Sequence, residues 1–200
     1  MRIVAGTFRG RSLVAPKGQS TRPTADRTRQ ALFNVLAHAP WSPGLGGARV
    51  IDVFAGSGAL GLEAISHGAG FCLFVDRNEA ARAAIGANVG VLKLGDRTRI
   101  DRRDATTLSV RTAGDGAAFD LAFLDPPYGQ GLGEAVLARL VAGGWLAPDA
   151  IAVLERGAAD PAPTPAGFEP LDERTWGAAR VSFLRVSPPA PWGAVVELWA

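Results

Sequence analysis

From residue 48 onward the chain alternates short apolar runs with longer stretches whose apolar residues recur at helical spacing. ARVIDVF (48–54), FCLFVD (71–76), RTRID (97–101), AFDLAFLD (118–125) and AIAVLE (150–155) read as strands. Between them, ALGLEAISH (59–67), NEAARAAIGANVGVLKL (78–94) and residues 132–142 read as helices. Residues 168–186 read as two strands around the turn WGAA, which brings the strand count to seven. Strands alternating with helices imply an α/β fold with a mostly parallel sheet, right-handed crossovers and helices on both faces. The closing hairpin adds an antiparallel C-terminal strand, expected at the sheet edge.

The first forty residues follow another pattern. RIVAGTFRGRSLVA (2–15) predicts a β-hairpin around GTFRG, and PKGQSTRP (16–23) predicts a loop. Thr24 suits an N-cap for a helix over about 25–37, with Leu32, Phe33, Val35 and Leu36 on one face. APWSPGLGG (39–47) reads as a linker. Two units follow: a hairpin-and-helix arm over 1–40 and a catalytic domain over 41–200. The tail after Val186 is Pro-rich, then apolar, and the pattern assigns it no element.

Charge sharpens this division. The 200 residues carry a formal net charge of only +2. Residues 1–30 hold seven bases and one acid, a net of +6, whereas residues 31–200 hold fourteen bases and eighteen acids, a net of −4. The basic arm suits phosphate contact, which gives affinity and register. A single cysteine, Cys72, and two histidines, His38 and His67, argue against a disulfide framework and a metal site. No run approaches the roughly 20 apolar residues of a membrane span, and no signal-peptide pattern follows Arg2. A cytoplasmic protein with no membrane partner is expected.

Open α/β sheets bind ligands beyond the carboxyl ends of their strands. Asp52, Asp76, Asp104 and Asp125 fall at or just past four such ends. Gly56, Gly58 and Gly61 match G-x-G-x-x-G, with Asp76 twenty residues on to take ribose hydroxyls. A dinucleotide fits that pattern, and so does S-adenosylmethionine. Asp52 beside the turn would repel a pyrophosphate but attract an ammonium group, and Asp104 suits the adenine amine.

Asp125-Pro126-Pro127-Tyr128 carries the chemistry. The Asp125 carboxylate and the Pro126 carbonyl are adjacent acceptors that can hold both hydrogens of an exocyclic base amine. This turns the nitrogen lone pair toward a methyl sulfonium, and Asp125 stabilises the positive charge that develops. Tyr128 offers a ring on which an extruded base stacks, and the prolines stiffen the loop.

DVFAGSGALGLEA (52–64) with LDPPY (124–128) resembles the class I S-adenosylmethionine-dependent amino-methyltransferases. Together with RIVAGTFRGRSL (2–13) and TRPTADRTRQALFNVL (21–36), it resembles the bacterial 16S ribosomal RNA guanine-N2 methyltransferase family, RsmD. The likeness runs from residue 2 to about 186, and it departs at Gln30, where the family usually has Glu, and in the longer tail.

The resemblance implies a Rossmann-like fold and methylation of one guanine of 16S rRNA, in the small subunit or a late assembly intermediate, by a monomer. Asp125, Pro126, Pro127 and Tyr128 are then the catalytic group. Asp52, Phe54, Ala55, Gly56, Ser57, Gly58, Asp76, Arg77, Asp104 and Ala105 bind the cofactor, and Arg2, Arg9, Arg11, Arg22, Arg27 and Arg29 contact RNA. In related enzymes the segment before the first strand folds over the methionine end of the cofactor, which gives Arg22, Thr24, Asp26 and Arg29 a second role. A DNA amino-methyltransferase is the main alternative, but no target-recognition insertion is evident. An NAD-dependent oxidoreductase lacks a Tyr-Lys pair, and an inactive RNA-binding assembly factor would not need the intact tetrapeptide.

Overall fold

The computed structural model describes residues 1–16, 23–127, 129–157, 160–163 and 165–187, with backbone only at 23–25. The expected alternation is present. The strands are β1 (Arg49–Val53), β2 (Phe71–Val75), β3 (Thr98–Asp101), β4 (Phe119–Leu124), β5 (Leu146–Gly157), β6 (Phe168–Trp176) and β7 (Ala179–Val186). The helices are α1 (Pro23–His38), α2 (Ala59–Ser66), α3 (Glu79–Leu92) and α4 (Leu132–Ala142). Helix α1 begins at Pro23, ahead of the expected Thr24 cap; proline suits a first helical turn because its missing N–H has no intrahelical partner there.

The strands form one sheet in the order β3-β2-β1-β4-β5-β7-β6. β1 to β5 are mutually parallel, and β7 runs antiparallel to both β5 and β6. The expected antiparallel edge strand is therefore corrected: β7 lies inside the sheet and β6 forms the edge. The burial patterns agree, since β7 is largely buried and β6 has no buried position.

Alternate residues of each central strand feed opposite cores. Val50, Phe74, Phe123, Val153 and Phe183 pack on one face with Leu32, Phe33 and Leu36 of α1, Leu62 and Ile65 of α2, and Ile85 of α3. Ile51, Val75, Ala122 and Leu154 pack on the other with Val136, Leu137 and Leu140 of α4. Trp145 is fully buried in this second core, stacks on Phe119 and donates its indole N–H to the Ser109 carbonyl at 2.8 Å. No helix among the described residues is long and apolar enough to cross a membrane.

The expected N-terminal hairpin is reduced to a single antiparallel bridge, Arg2 to Ser12. The reason lies in α2. The Glu63 carboxylate, fully buried, accepts the backbone N–H of Val4 at 2.9 Å and that of Ala5 at 2.8 Å, and the Ala5 amide is thereby taken out of the hairpin ladder that Met1 and Ile3 begin. Ser66 accepts the Phe8 N–H at 2.9 Å and donates to the Ala5 carbonyl at 2.5 Å. Gly6, at φ 75°, lies so close that a Cβ there would stand 2.0 Å from the Ser66 carbonyl oxygen. Ile3 and Leu13 complete the docking by entering the first core. Residues 1–16 are thus curled onto α2.

Arg29 of α1 closes the same network. Its guanidinium donates to Glu63 at 3.2 Å, to Asp26 at 2.8 Å and to the Arg2 carbonyl at 2.5 Å. On α3, Asn88 accepts the Val14 N–H at 2.7 Å and donates to the carbonyls of Val14 and Ser57, each at 3.0 Å. One buried amide thus ties the N-terminal segment to the Gly-rich turn.

Removing one partner of a buried charge pair typically costs about 3–5 kcal/mol. Glu63→Ala leaves the Val4 and Ala5 amides without their acceptor and takes from buried Arg29 one of its two carboxylate partners, so urea unfolding should show a loss of that order. Limited proteolysis of the variant should cut within residues 1–16. The exposed Arg9→Ala should stay within about 0.5 kcal/mol of wild type. A Glu63→Ala protein as stable and protease-resistant as wild type would refute the clamp.

Candidate active site

Strand order reverses at β1, whose neighbours β2 and β4 lead to opposite halves of the sheet. A cleft opens beyond the carboxyl ends at such a switch point. The Gly-rich turn after β1 forms its floor. Phe54, Gly56 and Gly58 all have positive φ, at 60°, 57° and 75°. Gly61 serves close packing: a Cβ there would stand 2.4 Å from the Phe74 ring and 2.5 Å from the Cys72 sulfur. Only glycine lets α2 sit this close to the sheet and aim its first turn at the cleft.

Two cavities meet at the cleft. The first, about 680 Å³, is lined by Asp76, Arg77, Asn78, Asp104, Ala105 and Thr106 among others. The second, about 390 Å³, is lined by Met1, Thr28, Arg29, Asp52, Ala55, Ser57, Glu155 and Trp176 among others. Phe54, Gly56 and Asp125 border both.

The four strand-end acids differ in their surroundings. Asp76 accepts the backbone N–H of Gly56 at 2.9 Å and of Asn78 at 2.8 Å, which bind it to the turn and to the start of α3. Asp104 accepts the Thr106 N–H at 2.9 Å and hydroxyl at 2.7 Å, and pairs with the exposed Arg77 at 3.1 Å. The Thr106 hydrogen bonds and the Arg77 charge hold its carboxyl below the ordinary range. Asp52 is buried and accepts the Gly61 N–H at 2.9 Å. Burial, opposed by that N–H and reinforced by the charges of Asp125 and Asp76, pushes its carboxyl well up. A buried acid of this kind ionises most readily when a cation arrives beside it.

Asp125 stands where the cavities join. It opens to solvent on the cleft side, while its protein-side surround and the neighbouring Glu155 push its carboxyl up to about 7. Pro126 is buried behind it and Pro127 is exposed. Tyr128 lies outside the described residues.

The structure therefore gathers Asp52, Phe54, Ala55, Gly56, Ser57, Asp76, Arg77, Asp104, Ala105, Asp125, Pro126 and Pro127 around one cleft. Gly58 caps α2 at left-handed φ, where a Cβ would stand 3.2 Å from Phe74 and Ile85. Arg29 is corrected as a phosphate contact, since it is 5% exposed and its guanidinium is held by Glu63 and Asp26, although it does border the second cavity. Arg2, Arg9, Arg11 and Arg27 are exposed, and Arg22 lies outside the described residues. Glu155, Thr28 and Trp176 line the second cavity without having been singled out as contacts. The signal for Glu155 was available, because it is a fifth strand-end acid.

The family model described as "conserved hypothetical protein 95" matches residues 1–185. Ribosomal RNA small subunit methyltransferase D of Escherichia coli strain K12 is 35% identical over 88% of this chain and 85% of its own length. The Haemophilus influenzae protein of that name is 32% identical over 88% and 89%. Among solved structures, the Escherichia coli protein yhhF superposes with a TM-score of 0.80 at 34% identity, covering 94% of this chain and 98% of its own. The chain belongs to the family of ribosomal RNA small subunit methyltransferase D.

Proposed function

We propose that this chain methylates the exocyclic N2 amine of one guanine in 16S rRNA, with S-adenosylmethionine as methyl donor. The observation that carries this reading is the Asp125–Pro126 step at the junction of two cavities, one walled by nucleoside-recognising acids and the other large enough for a base.

The residues fit the donor. Asp76 faces the first cavity as the acceptor for ribose hydroxyls, and Asp104 serves the adenine amine by releasing the solvent-exposed Arg77. Asp52 and Asp125 supply negative charge for the cationic methionine end, a poor environment for a pyrophosphate. S-adenosylmethionine supplies a methyl group activated by its sulfonium. Asp125 and the Pro126 carbonyl hold the two amine hydrogens and present the nitrogen lone pair. As the nitrogen–carbon bond forms and the sulfur keeps the electrons of its broken bond, Asp125 stabilises the ammonium charge. It then takes the proton that nitrogen loses, a transfer suited to a carboxyl near neutrality.

Residues 1–40 act as the RNA handle. Arg2, Arg9, Arg11 and Arg27 contact phosphates, and the Glu63 clamp holds the first sixteen residues rigidly against the catalytic domain. The substrate is the small subunit or a late assembly intermediate, met in the cytoplasm by a monomer.

Three outcomes follow from this reading. With methyl-labelled cofactor and small subunits from a strain lacking the activity, Asp125→Ala should lower incorporation by about a hundredfold or more. Calorimetry should find cofactor binding weakened far less than incorporation, because Asp52 still faces the methionine end; full incorporation by the variant would refute the role. The pH profile has a definite sign: protonated Asp125 can neither hold its share of the amine hydrogens as a carboxylate nor take the proton that nitrogen loses, so kcat/KM should rise with pH through a midpoint near 7 and level off about one unit higher. A flat profile from pH 5.5 to 8 would contradict it. Finally, Arg9→Ala with Arg11→Ala should flatten the salt dependence of subunit binding by a slope of about 1 per arginine; an unchanged slope would remove them from the interface.

A further inference from the structure

The second cavity contains a carboxylate that the methyl-transfer step does not use. β4 and β5 pair in parallel with Leu124 opposite Leu154, so Asp125, the first residue past β4, lies beside Glu155 near the end of β5, about 4.8 Å apart in backbone spacing. Both border the same cavity. They are close enough for the charge of Glu155 to raise the Asp125 carboxyl.

Two neighbouring carboxylates match one base edge in particular. Guanine presents its N1–H directly beside its N2–H, two donors in a row. Adenine and cytosine each present an amine beside a ring nitrogen that carries a lone pair. An Asp-Pro grip by itself holds any of these amines. A second carboxylate beside it accepts from guanine but faces a lone pair in the other two, leaving acceptor against acceptor. We propose that Glu155 accepts the N1–H of the target guanine while Asp125 and Pro126 hold its amine, which makes Glu155 the residue that selects guanine over other amine-bearing bases. The inference rests on the guanine-N2 reading above and adds the source of its base specificity. It also accounts for two acids being placed together at the cost of mutual repulsion.

The test compares guanine with 2,6-diaminopurine, which keeps the 2-amine but carries a lone pair at N1. Small subunits are reconstituted from rRNA bearing either base at the mapped position. Wild type should methylate the diaminopurine subunits at least about 30-fold more slowly, the size expected for one lost base-edge contact. Glu155→Gln can donate its side-chain amide to the N1 lone pair, so its preference should shrink to below about threefold. That change should come from a slower guanine reaction and a faster diaminopurine reaction. Glu155→Asp should keep the preference at a reduced rate. Equal rates on the two bases with wild type would overturn the proposal, as would a Glu155→Gln protein slowed by the same factor on both. If Glu155→Gln does not fold, the two wild-type rates decide alone. A wild-type product other than N2-methylguanosine would sink the underlying reading and this proposal with it, whereas N2-methylguanosine formed without discrimination would sink the role of Glu155 only.

Discussion

The parallel pairing of β1, β2, β4 and β5 is the constraint from which the rest follows. Parallel strands all end on the same edge, so acids placed at or just after their last residues converge without any special loop architecture. Reversal of strand order at β1 then opens a space between the two halves of the sheet. Asp52 and Asp76 enter that space from one half, Asp125 and Glu155 from the other. Burial first, and then the like charges brought this close, disfavour ionisation and lift both Asp52 and Asp125 above the ordinary carboxyl range. A cationic donor and a base edge rich in N–H groups relieve that repulsion, so the charge arrangement and the chemistry have a common origin.

Rigidity around this edge comes from a second buried charge. Glu63 on α2 joins the N-terminal segment, α1 and the catalytic domain through hydrogen bonds to Val4, Ala5 and Arg29. Asn88 on α3 links Val14 to Ser57 of the Gly-rich turn. The exposed bases of residues 1–16 are therefore carried on a segment fixed to the same helix whose first turn holds Asp52. An RNA phosphate bound there, as proposed, would lie at a defined distance from the cleft, which would tie binding register to catalytic position.

Local patterns read well from the sequence where the physics is local. Strand–helix alternation, the Gly-rich turn and the Asp-Pro-Pro-Tyr step are encoded in contiguous residues, and the strand bounds moved by only a few positions. What escaped depends on long-range pairing. Nothing near Glu63 reveals that its partners lie 58 and 59 residues earlier in the chain. For that reason Val4 and Ala5 looked like hairpin positions and Arg29 looked like a surface base. Insertion of β7 between β5 and β6 also depends on a topology that hairpin patterning leaves open. Glu155 was readable as a strand-end acid, but its significance needed the β4–β5 register, which places it beside Asp125.

The central claim is that these converging acids act on a guanine amine of small-subunit rRNA. It is tested most directly by digesting that rRNA to nucleosides and mapping methylated bases by mass spectrometry, with and without the chain in the cell. The account predicts that a single N2-methylguanosine disappears without the protein and returns when it is restored. An unchanged N2-methylguanosine map, or loss of an N6-methyladenosine or methylated cytidine instead, would contradict it.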